Sequence, residues 1–97
     1  MISVIVRPDA AADIEAAYKW YESQATGLGD QFLDVVGEQL RSLESHPEQF
    51  PIIHRNTRRA LLRRFPYQLF YRLEANVIIV VACLHGRRHP RQWKMRP

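Results

Sequence analysis

The chain has 97 residues, 46% of them hydrophobic and 25% charged, with one cysteine and a net charge of +4. That composition fits one compact domain over residues 1–97 and excludes an intrinsically disordered chain. No apolar run approaches the ~20 residues that span a bilayer, no leader pattern precedes the first strand pattern, and the lone Cys83 cannot close an internal disulfide, so a cytoplasmic protein with no membrane contact is expected.

In chain order, residues 2–7 (ISVIVR) alternate and are β-branched, the pattern of a strand, which Pro8 ends. Asp9 is the expected N-cap of a helix over residues 10–24, whose stripe of Ile14, Ala17, Tyr18 and Tyr21 turns inward while Asp13, Lys19 and Glu22 face away. The run Thr26-Gly27-Leu28-Gly29 breaks it. A second helix over residues 30–45 buries Phe32, Val35, Val36, Leu40 and Leu43, and Gly37 within it is read as a point of close helix approach. A short connection makes the two helices antiparallel neighbours.

Pro47 and Pro51 then stop the helix, and the chain to Thr57 is loop-like except for an extended Ile52-Ile53. Three strands are expected next, over residues 58–63, 65–73 and 77–84, with Phe65, Tyr67, Leu69, Tyr71 and Leu73 on one face and Gln68, Phe70 and Arg72 on the other. Asn76 is the residue expected to take the left-handed turn conformation between the last two. The last strand, VIIVVACL, is apolar throughout and should be buried on both faces. The order β-α-α-β-β-β gives an α+β fold, a twisted and largely antiparallel sheet with a helical hairpin packed on one face.

Charge is divided along the chain. Up to His54 there are three basic residues against nine acids, a net −6; from Arg55 there are eleven against Glu74 alone, a net +10. Either the halves neutralise each other within the fold, or the second half faces an acidic or polyanionic partner. Arg87, Arg88 and Arg91, leaving a buried strand beside His85 and His89, are the prime candidates for that contact, with Arg64 in the earlier basic run. His85 is equally a capping residue that bonds backbone at a strand end. Trp93 and Trp20 are read as packing residues. No phosphate loop, CxxC pair or metal-ligand spacing is present, because Gly86 and Pro90 deny His85 and His89 a shared helix face; no metal and no cofactor are expected.

The element order, the helix start Pro8-Asp9-Ala10-Ala11-Ala12-Asp13-Ile14, the segment RRFPYQLFY from Arg63, and the last strand running into His85-Gly86-Arg87-Arg88-His89-Pro90 together resemble the RelE/ParE family of type II toxins, in particular its ParE-like plasmid-stabilisation branch. The resemblance implies a toxin–antitoxin module, a cognate antitoxin as partner in a hetero-oligomer, and DNA gyrase as target. The RelE-like alternative implies a ribosome-dependent mRNA endonuclease, for which Arg59, His85, Arg88 and Trp93 hold the matching positions. This sequence departs from that pattern at Leu61 and Gln68, where basic residues are expected. A third alternative is an inactive homologue that only binds antitoxin. The resemblance also implies an acidic amphipathic antitoxin segment laid over the helical hairpin and a sheet edge.

Overall fold

The computed structural model describes residues 2–87 and 90–97. β1 (Ser3–Val6) leads into α1 (Pro8–Gln24) and α2 (Leu28–Ser45); β2 (Ile52–His54), β3 (Thr57–Leu61), β4 (Tyr67–Glu74) and β5 (Val77–His85) follow, and α3 (Arg91–Lys94) ends the chain. The strands form one sheet in the order β1-β5-β4-β3-β2. The four strands from β2 to β5 pair antiparallel, whereas β1 lies parallel to β5, with Ser3 opposite Val77 and Val6 opposite Val80. The architecture is the expected α+β arrangement. β2 and α3 add to it: the first is the extended Ile52-Ile53, and the second is too short to leave a helical period in the sequence.

Several local expectations change. α1 starts at Pro8, with Arg7 rather than Asp9 at the N-cap; proline pre-sets the helical φ and its missing N–H costs nothing there. Glu22 does not face away. Its carboxylate accepts the Gly27 and Gly29 N–H groups, each at 2.9 Å, and so satisfies orphan donors at the start of α2. Close helix approach falls on Gly29, where a Cβ would stand 2.8 Å from the Tyr18 carbonyl oxygen, and not on Gly37, which meets only the Arg41 side chain at 3.4 Å. In the β4–β5 turn it is Ala75, not Asn76, that has positive φ, +54°.

The sheet has a covered face and a nearly open one. The covered face carries Leu69, Tyr71, Ile78, Val80 and Cys83 against Phe32, Val35, Val36 and Leu43 of the helices. Tyr21, Phe32, Phe65 and Tyr67 form a ring cluster at one end of this core, with centroids 4.8 to 6.0 Å apart. At the other end the Tyr71 hydroxyl donates to the Pro47 carbonyl at 2.7 Å. On the opposite face Phe70, Val81, Ala82 and Leu84 form a second, smaller cluster under Trp93. A β-bulge makes that cluster possible: Tyr71 pairs with Val80 and Phe70 with Ala82, so Val81 is the extra residue and joins Ala82 on the back face.

Candidate target-binding surface

The end of the sheet where β4 begins and β5 ends is built from a tight crossing of the two strands. Tyr67 pairs with His85, and the Gly86 N–H donates to the Pro66 carbonyl at 2.8 Å. The Tyr67 and His85 rings meet edge to face at 5.4 Å on the helix side of the sheet. The Arg87 N–H donates to His85 Nδ1 at 3.1 Å, so in the neutral imidazole the proton sits on Nε2. That bond caps the strand end and fixes the ring.

Trp20 and Tyr21 of α1 complete a groove of about 430 Å³ lined by Trp20, Tyr21, Pro66, Tyr67 and His85. Trp20 is 56% exposed and lies edge-on to Tyr21 at 5.0 Å; the expectation that it is a packing residue fails, because it lies off the inward stripe of α1. Tyr18 and Tyr67 are half-buried, whereas Tyr21 and Tyr71 are buried. Burial, with Tyr67 beside it, raises the Tyr21 hydroxyl above its ordinary pKa, so this wall of the groove is a neutral hydrogen-bonding surface at physiological pH.

Basic residues adjoin the groove's lining residues Pro66 and His85 in sequence. Arg64, held at φ +71°, donates to the Gln31 side-chain oxygen at 2.8 Å and lies over the Phe65 ring at 5.4 Å. Arg87 is exposed directly after the strand end. Arg91 is exposed at the start of α3, the helix whose Trp93 packs on the opposite face. Arg88 and His89 lie outside the described residues.

Of the side chains named for the nuclease alternative, the three described ones do not converge. Arg59 lies opposite Phe70 on the back face, whereas His85 is paired with Tyr67 on the helix face. Trp93 shares the back face with Arg59, but it is 8% exposed and stacked on Phe70 at 4.6 Å and 16°. Its ring is used up by packing, and no base has room to stack on it there.

Sequence reasoning missed the feature that fastens this end of the molecule. Asp13 of α1 accepts two bonds from the Arg96 guanidinium, at 2.6 and 3.2 Å, and the Cys83 N–H at 3.0 Å; Arg96 also donates to the Val81 carbonyl at 3.0 Å. Asp9 adds a longer contact at 3.9 Å. Hydrogen bonding to Asp13 holds Arg96 above its ordinary pKa despite partial burial. The partners are 83 positions apart, so no local spacing announces the pair. Together with the exposed Arg63–Glu38 bridge at 2.8 Å, it shows the acidic first half and basic second half meeting inside the fold.

The description "ParE toxin of type II toxin-antitoxin system, parDE" belongs to a family model that matches residues 4–90. Among solved structures, the chain is similar to one described as the chromosomal ParDE toxin–antitoxin system from P. aeruginosa, at 23% identity and a TM-score of 0.72, covering 88% of this chain and 96% of that one. No curated protein gives a significant match. The fold agrees with that structure, and the family match spans nearly the whole of it: the chain belongs to the ParE toxin family of type II toxin–antitoxin systems.

Proposed function

We propose that the protein inhibits growth by binding rather than by cutting, with DNA gyrase as the target, and that a cognate antitoxin neutralises it. The observation that carries the binding half of this reading is the separation of Arg59 and Trp93 from His85 by the thickness of the sheet. Cleavage by a ribose 2′-hydroxyl needs a base, an acid and a phosphate clamp within reach of one another. An arginine serves as the clamp and not as the proton carrier. What supports docking is an aromatic groove whose lining residues Pro66 and His85 are preceded and followed in the chain by Arg64 and Arg87, charges that suit an acidic surface. Gyrase as the docking partner comes from the resemblance to ParE-like toxins.

The test is induced expression with labelled precursors. DNA synthesis should fall before translation does, and Arg87→Ala combined with Arg88→Ala should abolish growth inhibition while the far-UV spectrum stays unchanged. Recovery of mRNA cut at ribosomal A-site codons would establish the nuclease reading instead. Harmless expression with no antitoxin present would leave antitoxin binding as the protein's role.

A further inference from the structure

The outer edges of the sheet are β1 and β2, but β5 carries a further free stretch. β1 pairs only with residues 77–80, so β5 runs on to His85 with no strand on that side. The direction of its backbone groups follows from its neighbours. The Leu62 N–H donates to the Tyr67 carbonyl and the Gly86 N–H to the Pro66 carbonyl, so Tyr67 addresses β3, and Ala82, Leu84 and Gly86 address β4. Cys83 and His85 therefore point the other way, off the edge. The Cys83 N–H agrees, because it donates to Asp13 of α1 at 3.0 Å. Past that bond stand the Cys83 carbonyl and the His85 N–H, neighbours on the edge, neither with a hydrogen-bond partner among the described residues.

These residues line a cleft of about 210 Å³ between β5 and α1. Ala16, Ala17 and Trp20 form its α1 side. The cleft shares Trp20, Tyr67 and His85 with the groove of about 430 Å³, so the two are continuous. Asp13 closes the end away from that groove, its charge answered by Arg96 at 2.6 Å.

An acceptor beside a donor on a fixed strand suits a ligand with a donor beside an acceptor. A partner aligned with both groups lies in the plane of the sheet. It turns one face to α1, where two alanines leave room and Trp20, 56% exposed, offers a ring. An extended peptide fits poorly, because Asp13 and Arg96 have already taken the Cys83 N–H and the Val81 carbonyl, and the run that is left is too short for a strand. A flat ring fits well. A cavity of on the order of 150 Å³ holds a benzene ring, so this cleft admits a fused bicycle, and the adjoining groove takes what the ring carries. Arg87, exposed two residues past His85, favours an anionic substituent.

We infer that the cleft binds the purine base of a mononucleotide. The base donates to the Cys83 carbonyl from its amino group and accepts the His85 N–H on the neighbouring ring nitrogen, with Trp20 against its face. The site lies on the helix side of the sheet, opposite Arg59 and Trp93, and does not rest on gyrase as the target.

The experiment titrates the whole protein with adenosine monophosphate, following backbone amide shifts and binding heat. Binding should saturate below about 10 mM, with the His85 amide among the largest shifts and residues 77–80 unmoved. The analogue with two methyl groups on the amino nitrogen lacks the donor and should bind about tenfold more weakly. Trp20→Ala, at an exposed position, should weaken binding about tenfold by removing the stacking face. Ala16→Leu, also exposed and compatible with a helix, should fill the cleft and abolish binding, while the melting temperature of both variants stays near that of the parent. Arg59→Ala, on the opposite face, should change nothing. No saturation, equal binding of the dimethyl analogue, the same shifts from ribose 5-phosphate, or loss of binding on Arg59→Ala would each overturn the inference. Displacement of the mononucleotide by oligo-dA at equal base concentration would place the base in a nucleic-acid strand and overturn it as well.

Discussion

The two faces of the sheet are closed by different means. On the helix face, α1 lays Ala10, Ala17 and Tyr21, and α2 lays Phe32, Val35, Val36 and Leu43, over six buried sheet residues, with a cluster of four rings at one end. On the back face, one tryptophan from a four-residue helix covers Phe70, Val81, Ala82 and Leu84. So short a helix has no stability of its own. What holds it is the stacking of Trp93 on Phe70 and, three residues on, the bonding of Arg96 to Asp13. One face is a core that folds the protein; the other is a strap laid over a finished sheet.

The largest expected effect tests that division directly. Phe32→Ala removes a fully buried ring touching three others and should cost about 4 kcal/mol in denaturant titration. Trp93→Ala removes a larger side chain but should cost only about 2 kcal/mol, because the strap can fray locally rather than leave a sealed cavity. Equal losses would mean that the back-face cluster is part of the cooperative core, and the comparison would fail.

The next effect separates the strap's fastening from its ring. Arg96→Met should cost about 1.5 kcal/mol, and Asp13→Asn a similar amount, since Asn keeps an acceptor for the Cys83 N–H but loses the charge. The double variant should cost clearly less than the sum, with a coupling of about 1 kcal/mol. Trp93 fluorescence should shift to the red in all three. Additive losses would show that Arg96 does not act through Asp13.

The sequence carried the helix face almost entire. Stripes at helical spacing in α1 and α2 and alternation from Tyr67 to Leu73 name its core residues, because each pattern is local and one face of each element is apolar. The back face was not legible. Arg96 reads as one more tail cation and Asp13 as a solvent-facing acid, and only the folded chain brings them together. The extra residue Val81 is equally hidden, since an all-apolar strand shows no break in alternation when a bulge is inserted. The groove was missed for a related reason: Trp20 and His85 come from distant elements, and neither residue type is diagnostic alone. Arg64 was visible as a charge, but its bond to Gln31 of α2 was not.

Cys83 gives the finest test, because it belongs to the helix-face core through its side chain and to the strap's fastening through its N–H. Burial, with Asp13 nearby, pushes its thiol up to about 12, so the folded protein presents no thiolate at neutral pH. The unfolded chain, with a thiol pKa of about 8.5, loses that proton first as pH rises. The native state then binds more protons than the unfolded state, so this group's contribution is fully present below about pH 8.5 and is lost as pH climbs toward the folded value. At pH 8 a thiol reagent should leave native protein unlabelled over the time in which Trp93 becomes accessible to a fluorescence quencher, because the strap opens without the core. Arg96→Met should speed the quenching several-fold and leave the labelling rate tied to global unfolding. If labelling accelerates in step with quenching, lifting the strap also lifts β5 from the helices, and the two faces open as one cooperative unit.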